Sequence, residues 1–194
     1  MDDNELESGL KMSWVNANGL IEEADLLYSH NYFCRAYTLY QLAAEELGKC
    51  KLLTYSLTEY YLKHEIDEKF LKKYGFRDHM TKTKIVNALL LSLVTLYQKE
   101  SGNTPNFFKE IYSDYFNSKE LNEKKNHSLY VSIINEKFVL PESQVKSDDA
   151  IELKRKVKIY RETIKLFIKP KTFFENLAIA LKIGREKYGE KDSL

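Results

Sequence analysis

Glu45, Glu46 and Lys49 close a strongly apolar run over residues 37–47. On a helix Glu45 and Lys49 stand at i, i+4 and Glu46 and Lys49 at i, i+3, so either carboxylate can pair with the ammonium. Ala43, Ala44 and Gly48 leave the backbone beside them bare, which permits close approach by another helix. Two further groups follow: His79 with Lys82 three residues later, and Lys125, His127 and Tyr130. An imidazole titrates near neutrality and can act as acid or base on a phosphodiester. Lys82 or Lys125 can stabilise the negative charge that develops there, and Glu45 or Glu46 can orient the imidazole. The structural readings compete with this chemistry. Residues 43–49 can be the solvated end of an amphipathic helix. They can also belong to a salt-bridged network in which Lys125 reaches Glu46, since a buried charge needs a partner. His79, Glu45 and Glu46 could furnish metal ligands, but the Glu-x-x-His motif of helical di-metal sites is missing. No metal and no cofactor is expected.

The elements that must position these residues are helical. Seven glycines and three prolines in 194 residues are few, and many-stranded folds need turn residues often. With 43% hydrophobic and 30% charged residues, the chain reads as one soluble domain over 1–194. The spacing predicts a first helix over 6–28, a tight connection at His30 and Asn31, and a long second helix over 32–61. A short charged helix over 66–74 ends at Gly75, in the position a helix-terminating glycine takes. Residues 77–84 lead into an apolar helix over 85–97. This run is too short to span a bilayer and contains Asn87, Ser92 and Thr95, so it reads as a core helix and no membrane partner is expected. A loop over 101–106 precedes a helix over 107–116. Residues 128–134 can be extended, and 137–147, with Pro141, read as a surface loop. Asp149 with Glu152, and Thr172 with Glu175, have the spacing of capping boxes for a helix over 149–168 and a last helix ending near Gly189. That makes five to six main helices.

The net charge is +1, but its distribution is uneven. Asp2, Asp3, Glu5, Glu7, Glu22, Glu23 and Asp25 make the first helix acidic. Lys154, Lys158, Arg161 and Lys165 lie on one face of a late basic helix, which can track RNA phosphates or be simply solvated. The two ends can dock within one chain, between two copies, or onto different partners. Cys34 and Cys50 have no metal-ligand spacing and read as reduced thiols of a cytoplasmic protein. The acidic amino terminus lacks the apolar stretch of a signal peptide.

Three blocks in order, Ala44-Glu45-Glu46-Leu47-Gly48-Lys49, Phe76-Arg77-Asp78-His79-Met80-Thr81-Lys82 and Lys124-Lys125-Asn126-His127-Ser128-Leu129-Tyr130-Val131, resemble the AbiV family of bacterial abortive-infection proteins. That family is placed among the HEPN-like helical domains, and the resemblance covers about 20–134. It implies a helical bundle, a homodimer, and a phage-defence role that stops phage multiplication by blocking gene expression at RNA or translation. A phage protein as trigger, and RNA or the translation machinery as target, are the implied partners. The rival is a non-enzymatic module that binds a phage or host protein. Many HEPN domains are ribonucleases with an arginine and a histidine four to six intervening residues apart. None of Arg35, Arg77, Arg155, Arg161 and Arg185 is followed by a histidine at that spacing. Enzymatic character therefore stays open, with His79 and His127 as candidates for a different arrangement.

Overall fold

Asp2 and Glu5 cap each other's backbone N–H groups at 2.8 and 3.3 Å and start α1 (Asp3–Ser29). In the computed structural model, which describes residues 1–102 and 108–188, α1 buries Leu6, Leu10, Ala17, Ile21 and Ala24 along one stripe. That stripe packs along α2 (Phe33–Tyr61), its antiparallel neighbour across a reversal in which Asn31 takes a φ of +64°. Seventeen of the 29 residues of α2 are buried, so it is the central helix and both of its faces are covered. α3 (Glu68–Lys73) ends on Gly75 at φ +89°, with Phe76 N–H donating to Leu71 O at 2.9 Å and Gly75 N–H to Lys72 O at 3.0 Å. This paired closure is the glycine-terminated helix end that the sequence signals.

Around α2 lie α4 (His79–Ser101), α6 (Ser118–His127), α8 (Ser147–Lys165) and α9 (Lys171–Tyr188), with α5 (Phe108–Phe116) against α4. β1 (Ser132–Ile134) and β2 (Lys137–Val139) form an antiparallel hairpin, followed by α7 (Pro141–Gln144). Asn135 and Glu136 both take positive φ, 49° and 63°, as a two-residue hairpin turn requires. The domain is all-α; among the described residues this hairpin is its sheet. No helix among them is long and apolar enough to cross a membrane.

Several boundaries differ from expectation. α4 begins at His79 rather than at 85, because Asp78 accepts Met80 N–H at 3.0 Å and starts the helix ahead of the apolar run. α6 was not expected at all, since its Lys, Glu and Asn residues carry no apolar period. Residues 137–139 pair as a strand instead of forming loop. Asp149 does cap, but from inside: α8 begins at Ser147, and the Asp149 carboxylate accepts Lys146 N–H at 2.8 Å. Thr172 likewise lies within α9, which starts at Lys171. Most of the expected loop over 101–106 and the expected end near Gly189 lie outside the described residues.

The acidic and basic ends meet within the chain. Lys154 pairs with Asp25 at 2.9 Å and Lys171 with Asp3 at 3.0 Å. Cys34 and Cys50 are buried thiols on one helix, roughly 24 Å apart along its axis, too far to bond each other. Burial, reinforced by the Glu46 carboxylate, pushes the Cys50 thiol up to about 12, which makes it inert.

Candidate functional site

Thr38, Gln41 and Glu45 follow one another at i, i+3 and i+7 on α2, a polar stripe that a solvated amphipathic helix would turn to water. Here all three are buried, because α4 and α6 cover them. Gly48 makes the α4 contact possible: a Cβ built there would sit 2.3 Å from the Lys82 carbonyl oxygen. Each polar residue of the stripe is answered from the covering helices. The Thr38 and Ser128 hydroxyls are 2.6 Å apart, and Gln41 Nε2 donates to Thr83 Oγ1 at 3.1 Å.

Glu45 is the centre of the stripe, with only 2% of the residue exposed. Lys125 Nζ donates to its Oε1 at 2.8 Å, Lys82 Nζ lies 3.4 Å from Oε2, and His79 Nδ1 is 2.5 Å from Oε2. An ionised carboxylate can only accept, so Nδ1 carries the proton and Nε2 is left as the free nitrogen. Lys82 and Lys125 are themselves buried, at 4% and 7% exposure, while the His79 side chain is 56% exposed. One buried carboxylate thus holds two buried ammonium groups and aims one imidazole outward.

Of Glu45, Glu46, Lys49, His79, Lys82 and Lys125, four converge: Glu45, His79, Lys82 and Lys125. Glu46 and Lys49 instead pair with each other at 2.6 Å, with Lys49 also over the Phe76 ring at 5.3 Å. Lys125 reaches Glu45 rather than Glu46, because Glu46 sits about 100° further round the helix. His127 lies two residues from Lys125, which on α6 turns it away from Glu45. Tyr130 is exposed beyond the end of α6. Thr38, Gln41, Thr83 and Ser128 were not singled out by sequence reasoning. The signal for the first two was their helical register with Glu45.

Half of the basic face of α8 is paired with carboxylates. Lys154 pairs with Asp25 and Arg161 with Glu162 at 2.9 Å. Burial works against the Asp25 carboxylate, yet the Tyr40 hydroxyl and Lys154 together hold it below the usual carboxylate range. Lys156 is turned inward, bonded to Asp114 at 2.8 Å and Glu152 at 2.7 Å. Lys158 and Lys165 are exposed without an ion pair among the described residues. Tyr160 donates to Asn87 Oδ1 at 2.6 Å, closing a buried polar contact between α8 and α4. No three His, Cys, Asp or Glu side chains among the described residues gather where a metal ion could sit.

Compared with known families, the chain matches the HEPN-class family model described as AbiV over residues 5–161, from α1 to within α8. The match is wider than the span of 20–134 that the three blocks carry. No curated protein and no solved structure matches significantly.

Proposed function

Since the chain belongs to the AbiV family of HEPN-like domains, whose role is abortive-infection phage defence, we propose that it blocks gene expression at RNA or translation, with His79 as the group that meets the target. The supporting observation is the Glu45–His79 pair. A buried carboxylate fixes the imidazole through Nδ1 at 2.5 Å, while the ring stays solvent-accessible with Nε2 free. That is the arrangement by which a carboxylate orients a histidine that handles a proton at its other nitrogen. On RNA, Nε2 would take the proton of a ribose 2′-hydroxyl as its oxygen bonds to the adjacent phosphorus, the P–O5′ bond breaks and the departing 5′-oxygen takes a proton from water. Lys82 and Lys125 are committed to Glu45, so they act as positioning residues for that carboxylate.

The same burial favours a second reading, the non-enzymatic module. Two inward-facing lysines that satisfy one carboxylate also describe a polar joint between α2, α4 and α6, on a domain that binds a phage or host protein. RNA integrity during infection separates the two. Discrete cleavage supports His79 chemistry; intact RNA with arrested synthesis supports the module.

The decisive variant is His79→Ala. Because the ring is exposed, its melting temperature is expected to stay within a few degrees of the parent, while phage plaquing is restored and any RNA cleavage falls by roughly 10²-fold or more. Full resistance in His79→Ala would remove His79 from the mechanism. The proposal extends to a homodimer. Light scattering at micromolar concentration is then expected to give about twice the chain mass of 22.8 kDa, and a monomer at every accessible concentration would rule the dimer out.

A further inference from the structure

A cleft of about 650 Å³ opens between α2, α3 and α4, roughly two to three helical turns along α2 from Glu45. The volume falls within the roughly 300–1,000 Å³ typical of binding cavities. Its α4 wall presents Ile85, Ala88 and Leu89, with the small Ala88 making a hollow between two larger neighbours. Tyr55 and Tyr74, with ring centroids 5.7 Å apart, close the α2–α3 side. Two adjacent helix faces with a hollow between them form the groove into which the ridge of a third helix packs.

Among the described residues, two lysines at this cleft lack the carboxylate that several packed lysines hold, as do the exposed Lys158 and Lys165. Lys49, Lys82, Lys124, Lys125, Lys154 and Lys156 each hold a carboxylate. Lys51, half-buried at the cleft, has only the Phe167 ring under its ammonium at 4.9 Å, and Lys73 only the Tyr74 ring at 5.5 Å. Neither has a carboxylate partner among the described residues. Burial holds the Lys51 ammonium below the usual lysine range, so its charge is maintained at a cost that an incoming carboxylate would remove.

We propose that this cleft receives an amphipathic helix of a partner protein, its apolar face seated on Ile85, Ala88 and Leu89 and its flanking carboxylates paired with Lys51 and Lys73. Apolar anchors at i, i+3 or i+4 and i+7 are what such a groove reads, and the two ammonium groups select acidic flanks. Thr81 lines the cleft and immediately precedes Lys82. A seated helix therefore bears on the first turn of α4, next to the Glu45 cluster. The inference rests on the cleft and does not depend on the role of His79.

The test is a selection from a displayed library of helical peptides with a fixed apolar i, i+3, i+4, i+7 face and randomised Glu, Gln or Lys flanks, against the full chain. Enrichment of Glu flanks is expected, with binding weakened about tenfold or more by Ala88→Leu, which fills the hollow, and by Lys51→Glu. Lys73→Glu is an exposed change that leaves folding intact, and it is expected to weaken the same peptides and to reduce their salt dependence. No enrichment, enrichment of neutral or basic flanks, or binding that survives both Ala88→Leu and Lys73→Glu would overturn the proposal. So would a single-stranded RNA oligonucleotide, or dodecanoate, that binds with sensitivity to Lys73→Glu while no peptide does.

Discussion

Glu45→Ala is expected to destabilise the fold by roughly 3–5 kcal/mol in chemical denaturation. The reason lies in what remains. Lys82 and Lys125 stay at 4% and 7% exposure, and their shared carboxylate is gone. Two ammonium groups buried against each other without a counter-charge cost far more than the lost contacts, because desolvation is no longer offset. For a chain of this size the melting temperature should fall by about 6–20 °C. The cause can be isolated by changing all three residues together, Glu45→Leu with Lys82→Met and Lys125→Met. An apolar joint of similar volume removes the uncompensated charge, and most of the stability should return. His79 would then lose its carboxylate, so a stable triple variant without phage resistance is the expected combination. A Glu45→Ala protein within 1 kcal/mol of the parent, a threshold typical of exposed ion pairs, would mean that the lysines find water or other partners and that the joint is not buried as described.

Gly48→Ala should destabilise by about 2–3 kcal/mol, although alanine is ordinarily the better residue inside a helix. The added methyl would sit 2.3 Å from the Lys82 carbonyl oxygen and 2.9 Å from its carbonyl carbon. Both are backbone atoms of α4, so no side-chain rotation relieves the clash and the two helices must separate. Because Lys82 is also a partner of Glu45, the separation would loosen the cluster as well as the packing. Gly19→Ala in α1 is the control. Nothing lies within 4 Å of its Cβ position, and it should stabilise by about 0.5–1 kcal/mol. A neutral or stabilising Gly48→Ala would show that α2 and α4 are further apart than this.

Helical class and the course of α1, α2 and α3 were legible in the sequence because local physics decides them. Apolar residues at helical spacing and the glycine at 75 act over a few residues each, whereas the Asp2–Glu5 cap that starts α1 ahead of residue 6 was not read from the sequence. The bare backbone at Gly48 was legible too, as a place where another helix could approach. Which helix approached was not. The four clustered residues come from three helices, α2, α4 and α6, and Glu45 and Lys125 are 80 positions apart. α6 carries no apolar period, so nothing local announced the element that brings Lys125 in. The choice between Glu45 and Glu46 shows the same division most plainly. Adjacent in sequence and both within helical reach of Lys49, they differ by a turn of about 100° around α2, which carries no meaning until α4 and α6 are laid against one side. Packing then buries Glu45, and burial obliges it to gather His79, Lys82 and Lys125, while Glu46 keeps the partner that its own helix supplies.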